Sequence, residues 1–425
     1  MADGFGIRSV EVRGFRSARA VQLAPGAVCA LVGGPSVGKS NLLDAIWTLL
    51  QNGEPAPSAG DVSARDGRAI ELRATLGSGD ELTLTARPGA AIRASGSGVP
   101  VLFFPAALRA QRLVASPVAS PAAARVADEH FRVRDDATAA AGAGGFLAGV
   151  EGLCRASHGG LVLLIEEPEL FLRPQAQRYL YRRLREFASA GNQVIYSTHE
   201  PAFLNVGRLD ELALVGLNDQ HGTTVTQPRP LDAGASFRAI SEIDGESGEL
   251  FLASSVMLVE GRTEKLTLPF VFSALGYDAD GEAITIVDCG GKPNIPLFIR
   301  ICHAVNVPCV AIHDRDALPE REPSHAERAL NAEIRSLAGA GATFELARDF
   351  EAVAGLRGHR HKPTQAYQHF SQIGAEDVPV PLRDAVEKAI ELARADAPAA
   401  IAGYATGGNA ASGEFTDPET VPARR

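Results

Sequence analysis

The stretch ALVGGPSVGKSNLLDAIWTLL, residues 30–50, decides the fold of the first half of the chain. Within it, Gly33–Ser40 matches the phosphate-binding pattern G-x-x-x-x-G-K-[S/T] at every fixed position. An apolar run before the motif predicts a strand, and apolar side chains at helical spacing after it predict a helix. That stripe consists of Leu42, Leu43, Ile46, Leu49 and Leu50. A strand, a glycine-rich loop and a helix in this order are the context in which such a loop binds phosphate.

The residues of this loop have separate predicted roles in binding ATP. The glycines let backbone N–H groups approach phosphate oxygens at the helix N-terminus. Lys39 would neutralise the β- and γ-phosphates, and the Ser40 hydroxyl would help to hold one Mg²⁺. The predicted ATP-binding residues are Gly33, Gly34, Gly38, Lys39, Ser40 and Asn41. The alternative is a glycine-rich turn that contains a lysine by chance.

Two later strand ends carry residues suited to the same site. The apolar strand LVLLI ends in Glu166 and Glu167, of which the first would bind Mg²⁺ through water and the second would polarise the attacking water. His199 follows the strand QVIYSTH and would contact the γ-phosphate. Taken singly, the acidic pair could be a solvated turn and the histidine a turn cap. Loop, acidic pair and histidine in this order favour a nucleotide site.

The second half of the chain predicts a parallel sheet. Its strands SSVMLVEG, AITIVDCGG and VPCVAIHDRD alternate with helical segments, as crossover connections between parallel strands require. Glu260 ends the first of these strands, Glu264 lies one helical turn later, and Asp314 and Asp316 end the third. Ligands gather at the carboxyl ends of parallel strands, so these four carboxylates are expected to converge.

Convergent carboxylates favour a metal site over a solvated loop. Two like charges at 4 Å repel by about 4 kcal/mol at an effective dielectric constant of 20, so the group needs a compensating cation. Oxygen ligands favour Mg²⁺ or Mn²⁺. One or two such ions would activate water and stabilise the leaving oxygen in phosphodiester cleavage. Each short pattern alone is weak and is also compatible with a solvated loop.

The first half resembles the ABC-type ATPases of chromosome maintenance and repair. VRGFRS, residues 12–17, is similar to the strand-and-arginine element that those proteins place beside the nucleotide, which implies a phosphate contact for Arg16. Two features depart from the pattern. Glu166 stands where those proteins have aspartate, and AGAGGFLAG, residues 141–149, is at best a degenerate signature motif. The resemblance therefore supports ATP binding more strongly than ATP turnover.

The second half resembles the Toprim domain of topoisomerases, DnaG-type primases and OLD-family (overcoming lysogenization defect) nucleases. An ABC-type ATPase followed by Toprim is the OLD-family layout, and IEEPELFLRP and YSTHEP are also similar to that family. The resemblance implies an ATP-binding nuclease that nicks or cuts DNA, often in phage defence. It also implies a metal-binding role for Glu351 and transition-state stabilisation by Lys362. A Gly-Lys element at residues 288–292 is similar to one in the family.

The expected organisation is an ABC-type ATPase domain over 1–245, with its helical insert reduced or absent, a Toprim domain over 246–395 and a disordered tail over 396–425. Residues 115–148 carry little periodic signal. Expected partners are DNA, a second copy of the chain and, in some settings, a helicase-like protein. Basic residues at 357–362 are the better candidate for DNA contact than the arginines of the helix after the acidic pair, which typify a solvated face.

Composition sets outer limits on these hypotheses. The chain has 425 residues, a net charge of -10 and 45% hydrophobic residues, with no apolar run long enough to span a bilayer, so a cytoplasmic protein is expected. Five cysteines without C-x-x-C spacing favour buried free thiols. The competing functions are an ATP-gated DNA-binding scaffold with an inactive Toprim domain, a transporter ATPase, and a primase or topoisomerase.

Overall fold

The computed structural model describes residues 5–53, 56–63, 69–87, 92–106, 114–115, 139–156, 159–205, 207–218, 220–231, 246–315, 323–347, 350–353, 355 and 362–395. The predicted tail lies outside these residues, as does Asp316. The 245/246 boundary adjoins residues 232–245, which also lie outside, so the domain limits stay a prediction.

The first half forms a mixed sheet of 12 strands in the order β6-β5-β4-β1-β2-β12-β11-β3-β10-β9-β7-β8. Its centre, from β11 to β7, is parallel, and the strands on either side pair antiparallel. The strands are β1 Ile7–Phe15, β2 Ala18–Leu23, β3 Val28–Val32, β4 Ile70–Leu76, β5 Glu81–Ala86, β6 Arg93–Ser95, β7 Val101–Phe104, β8 Val114–Ala115, β9 Val162–Glu166, β10 Gln193–Thr198, β11 Leu212–Asn218 and β12 Gly222–Thr226. The parallel centre places the ends of β3, β9 and β10 side by side.

Three helices cover this sheet. Helix α1, Lys39–Leu50, follows β3, and its predicted stripe is buried together with side chains of β1, β4, β5 and β10. Helices α2, Ala139–Ala156, and α3, Pro174–Ser189, pack against each other and bury apolar residues in a second cluster with β9 and β10. The sheet is therefore enclosed from both faces, as parallel strands require.

The second half contains a parallel four-stranded sheet in the order β14-β13-β15-β16. Its strands are β13 Ser255–Val259, β14 Ile284–Asp288, β15 Cys309–Asp314 and β16 Thr343–Leu346. The helices around it are α4 Arg262–Ala274, α5 Ile295–Ala304, α6 His325–Ala338, α7 Phe350–Val353, α8 Lys362–Phe370 and α9 Val380–Ala395. The predicted α/β class, a P-loop ATPase sheet followed by a Rossmann-like parallel sheet, is confirmed.

Short 3-10 helices complete the described elements at Ala59–Asp61, Pro201–Phe203, Leu209–Glu211, Glu246–Leu252, Lys292–Asn294, Ala340–Ala342 and Ala375–Asp377. Two of them connect the halves, because Pro201–Phe203 packs against Glu246–Leu252. Phe203, Leu250 and Phe251 are buried in one apolar cluster that reaches both sheets. The end of β10 is thus followed directly by the contact with the second half.

The five cysteines are free, as predicted, and four of them are buried. Burial raises the pKa of Cys29 to about 12. It also raises the pKa of Cys154 to about 11. Neither thiol is therefore ionised near neutral pH, which suits packing and not nucleophilic chemistry. No helix within the described ranges has the length and apolarity needed to cross a membrane.

Candidate nucleotide and metal sites

The phosphate loop between β3 and α1 is held by close contacts that only glycine permits. A Cβ atom on Gly33 would lie 2.1 Å from the Val215 carbonyl oxygen. Gly38 has a φ of +105°, and a Cβ atom there would lie 2.1 Å from Oγ1 of Thr223. Both positions exclude a side chain, so the loop keeps its backbone open toward the position a phosphate would take.

Lys39 lies at the start of α1 and is folded back over the loop. Its Nζ donates to the carbonyl oxygens of Gly33 at 2.8 Å and Gly34 at 2.7 Å. Burial lowers the pKa of Lys39, while the charges of Glu167, Glu169 and Glu166 act in the opposite direction. The three carboxylates at and after the end of β9 therefore lie within electrostatic reach of the loop lysine. The glycine cradle and the buried lysine together fit a nucleoside triphosphate.

The other predicted nucleotide-binding residues have different surroundings. Ser40 is exposed. Arg16 has a φ of +47°, and its guanidinium donates to Asp61 at 2.8 Å, Asp44 at 2.5 Å and Asn41 at 3.2 Å. The structure brings Arg16 and Asn41 together beside the loop. A phosphate contact by Arg16 would have to compete with these two carboxylates, which the sequence did not predict.

Glu166, Glu167 and His199 meet at the ends of β9 and β10. Oε2 of Glu166 accepts from the backbone N–H of Ala106 at 2.8 Å. Glu167 has a φ of +48°, and its N–H donates to the Ser197 carbonyl at 2.9 Å. Nδ1 of His199 lies 3.7 Å from Oε1 of Glu167. The acidic pair and the histidine are thus neighbours, in the arrangement expected of a nucleotide site.

Glu169 is a further member of this group that sequence reasoning did not single out. Only 6% of it is exposed, and its Oε1 accepts from Oγ1 of Thr198 at 3.0 Å and from the N–H of His199 at 3.1 Å. The same oxygen lies 3.6 Å from Nδ1 of His199. The signal available in the sequence was a third carboxylate in the turn that follows β9, at Glu166-Glu167-Pro168-Glu169.

In the second sheet, Glu260 and Asp314 meet at the ends of the neighbouring strands β13 and β15. Oε1 of Glu260 accepts from the backbone N–H of Asp314 at 2.7 Å. The carbonyl oxygen of Glu260 accepts from the N–H of Gly291 at 2.7 Å, which adds the end of β14. Glu264 lies in the first turn of α4 and is 9% exposed. The structure thus brings Glu260 and Asp314 together and places Glu264 on the helix that follows β13, while convergence of all three on one metal stays a prediction.

Lys292 is a second residue that sequence reasoning left without a role. It follows β14, is 6% exposed, and its Nζ donates to the carbonyl oxygen of Asp314. Since β13 lies between β14 and β15, this contact crosses one strand and places a buried positive charge at the edge that carries Glu260. The Gly-Lys element at 288–292 was the feature of the sequence that could have pointed to Lys292.

The remaining predicted metal ligands are not described. Asp316 lies outside the described residues, and the side chains of Glu351 and Lys362 are also outside, although their backbones belong to α7 and α8. Most of the basic stretch at 357–362 lies outside too. Among the described residues, no group of three or more His, Cys, Asp or Glu side chains is placed to hold a metal ion. The full metal site stays a prediction.

A glycine-cradled phosphate loop on one sheet and strand-end carboxylates on a parallel sheet define the class as a P-loop ATPase joined to a Toprim domain. Residues 251–316 match the family described as "Overcoming lysogenization defect protein-like, TOPRIM domain". Residues 152–205 match the family described as "AAA domain, putative AbiEii toxin, Type IV TA system". The two matches cover the ends of β9 and β10 and the ends of β13 and β15.

Two curated proteins are similar to parts of this chain. The chain is 33% identical to an OLD nuclease of Thermus scotoductus over 252 residues, which is 55% of this chain and 48% of that protein. It is 28% identical to the Old nuclease of Escherichia phage P2 over 164 residues, or 37% and 28% of the two chains. The chain thus spans about half or less of the length of these relatives. The predicted resemblance to OLD-family nucleases, in which an ATPase domain precedes a Toprim domain, is confirmed.

Two solved structures are also similar to parts of the chain. The C-terminal region of the Burkholderia pseudomallei OLD protein matches with 17% identity and a TM-score of 0.29, over 33% of this chain and 99% of that one. The SMC head domain from Thermotoga maritima matches with 18% identity and a TM-score of 0.35, over 52% of this chain and 99% of that one.

Proposed function

We propose that this chain is an ATP-binding nuclease that cleaves DNA with divalent metal at the Toprim carboxylates. The observation that carries the proposal is the meeting of Glu260 and Asp314 at neighbouring strand ends, beside the buried Lys292. The same chain has a phosphate loop whose lysine is already folded into place. Two relatives that match parts of the chain are nucleases by name.

The nucleotide half supplies ATP binding and, as a separate step, hydrolysis. When ATP binds, the Lys39 ammonium would donate to phosphate oxygens instead of to the carbonyl oxygens of Gly33 and Gly34. The negative phosphate would then compensate its positive charge. Ser40 is exposed and free of the core, so its hydroxyl could reach a metal ion held with the nucleotide together with Glu166. Glu167 would take the proton of the attacking water, and His199 would contact the terminal phosphate. Hydrolysis depends on Glu166 acting where related ATPases have aspartate.

The Toprim half would hold one or two Mg²⁺ or Mn²⁺ ions with carboxylate oxygens. When bound, such ions supply an activated water and stabilise the leaving oxygen. The donors would be Glu260, Glu264, Asp314, Asp316 and Glu351, an all-oxygen set that suits these hard cations.

The protein's own contribution at this edge is position and charge. The Asp314 N–H holds one oxygen of Glu260, which leaves the carboxylate oriented toward the sheet edge. Lys292 holds the backbone at Asp314, and its charge offsets part of the repulsion between the carboxylates. Lys362 would stabilise the charge that develops on the phosphate. Glu260 could in addition receive the proton of the water that attacks the phosphodiester.

The setting of this activity is part of the proposal. Two copies of the chain would assemble, since ABC-type sites form between two ATPase domains, and a helicase-like partner would join in some systems. We infer a cytoplasmic role in phage defence or DNA repair from the OLD-type relatives.

The competing function is that of an ATP-gated DNA-binding scaffold with an inactive Toprim domain. The two functions differ in whether DNA is cut. In the scaffold, Glu260 would be dispensable for every measurable effect on DNA.

The test is nicking of supercoiled plasmid by the full chain in Mg²⁺ or Mn²⁺, with and without ATP. We expect metal-dependent nicking that Glu260→Gln abolishes, since this change keeps the side-chain volume and removes the charge. Glu376→Gln, an exposed carboxylate in the same half, is the matched control and should nick as the wild type does. Equal, metal-independent nicking in all three proteins, or none in any, would favour the scaffold.

A further inference from the structure

Glu169 is a buried carboxylate that the proposed chemistry does not yet use. It is 6% exposed and lies in the turn after β9, two residues beyond Glu167. Its Oε1 receives two hydrogen bonds from the end of β10, from Oγ1 of Thr198 and from the N–H of His199. A single carboxylate oxygen thereby fixes the backbone at the residue expected to contact the terminal phosphate.

The imidazole of His199 also lies close to the same carboxylate. Its Nδ1 lies 3.6 Å from Oε1 of Glu169 and 3.7 Å from Oε1 of Glu167, so the ring stands between two acids. Its side chain is 52% exposed, whereas that of Glu169 is only 6% exposed. One neighbour of the exposed ring is therefore a buried carboxylate fixed by two hydrogen bonds, which is an arrangement that can orient a histidine for contact with a ligand.

Burying this carboxylate carries a cost that packing alone does not explain. Burial raises the pKa of Glu169, although hydrogen bonds from His199 and Thr198 oppose the shift. Its second oxygen, Oε2, is buried and accepts no hydrogen bond from the described residues. A buried carboxylate oxygen without a donor is unfavourable by several kcal/mol in general, and such groups mark sites with a task.

We propose that Glu169 is the positioning residue of His199, holding its backbone and ring so that the protein distinguishes nucleoside triphosphate from diphosphate. This inference rests on the proposed function, in that it needs nucleotide at the phosphate loop. It does not need hydrolysis, because discrimination between the two nucleotides is a property of binding. The charges of Glu166, Glu167 and Glu169 act on Lys39, so Glu169 lies close enough to the phosphate loop to influence its lysine.

The experiment compares the affinities of the full chain for ATPγS and for ADP, both with Mg²⁺, by calorimetry. Glu169→Met keeps the buried volume and removes both acceptor oxygens, and Glu169→Gln keeps one acceptor. We expect Glu169→Met to lose about tenfold in affinity for ATPγS, the loss of one charge-assisted hydrogen bond, with ADP unchanged within about twofold. Glu169→Gln should recover most of that loss, and Glu200→Gln, the adjacent carboxylate, should match the wild type.

His199→Ala provides the second arm. If Glu169 acts through His199, this variant should lose ATPγS affinity to the same extent, and the double variant should be no weaker than either single one. Should Glu169→Met fail to fold, Thr198→Val removes one of the two donors to Oε1 and should shift the nucleotide ratio in the same direction, by about threefold.

Three results overturn the inference: an unchanged ATPγS-to-ADP ratio in Glu169→Met, an equal loss for both nucleotides, or additive losses in the double variant. Failure of the proposed function has another signature. In that case wild type and Lys39→Met would bind ATPγS equally weakly, and no variant at Glu169 would matter.

Discussion

Both halves of the chain carry a buried lysine just after a strand of a parallel core, but the two lysines are held differently. Lys39 is 7% exposed and bonds to carbonyl oxygens five and six residues away, within its own loop. Lys292 is 6% exposed and bonds to a carbonyl 22 residues away, across an intervening strand. The contact of Lys39 stays within its own loop, whereas the contact of Lys292 links the ends of β14 and β15.

The largest expected difference is in the free energy of unfolding, between alanine substitutions of the glycines that precede the two lysines. Gly38→Ala places a Cβ atom 2.1 Å from Thr223 at a φ of +105°, whereas Gly291→Ala meets nothing closer than 3.7 Å at a φ of +125°. We expect Gly38→Ala to cost about 3 kcal/mol in the free energy of unfolding, because overpacking adds to backbone strain, and Gly291→Ala about 1 kcal/mol from strain alone. Urea titrations followed by the fluorescence of Trp47 and by circular dichroism would measure both. A larger loss for Gly291→Ala would reverse the comparison.

Methionine substitutions separate the tasks of the lysines. Lys39→Met should weaken ATPγS binding about a hundredfold, since a buried ammonium that meets phosphate is replaced by an apolar group of similar length. Lys292→Met is its matched control, because its contacts lie on the other sheet, and should bind ATPγS as the wild type does. Calorimetry gives both affinities. Similar ATPγS affinity in the two variants would show that the phosphate loop is not the nucleotide site.

The Lys292→Met variant also tests the contact between Lys292 and Asp314. Lys292→Met should lower the plasmid nicking rate about tenfold, because the carbonyl of Asp314 loses a charged donor and the edge that carries Glu260 loosens. Binding of Mn²⁺, followed by electron paramagnetic resonance, should change in the same variant. Arg335→Met, which removes an exposed ion pair with Glu345, is the control for a charge lost elsewhere in this half. Unchanged nicking and metal binding in Lys292→Met would make the contact purely structural.

Much of the fold follows from local sequence patterns. The stripe on α1 and the three strands β13 to β15 are where periodicity predicts them. Helix α2 was not predicted, because alanine and glycine leave no apolar stripe to detect over its first ten residues, 139–148.

Site residues follow from sequence most directly where their contacts are local. Lys39 and its glycines form one motif, so their arrangement was predicted. Lys292 depends on strand order, which brings it to Asp314, and no pattern in either segment encodes that neighbour. Glu169 likewise depends on the register of β9 with β10, in which Ser197 pairs with Glu166. Long-range register is set by packing of the whole sheet, and short motifs do not contain it.

The smallest expected effect concerns the acidity of Glu169. Because burial raises its pKa in the folded chain, the protonated form stabilises the fold below the ordinary value of 4.5, and this contribution disappears as the pH rises through the raised pKa. Glu169→Gln lacks that titration. The difference in unfolding free energy between the wild type and this variant should therefore shift in favour of the wild type as the pH falls toward 4.5. Urea unfolding at several pH values measures it, and a shift of opposite sign would mean that the carboxylate is ionised more readily when folded.

We propose that one chain couples a nucleotide site to a DNA-cutting site. The most direct test of this coupling is the rate of metal-dependent plasmid nicking with and without ATP, in the wild type and in Lys39→Met. We predict that ATP changes the rate of the wild type and leaves the rate of Lys39→Met unchanged. A response to ATP that persists in Lys39→Met, or the absence of nicking under every metal and nucleotide condition, would contradict the account.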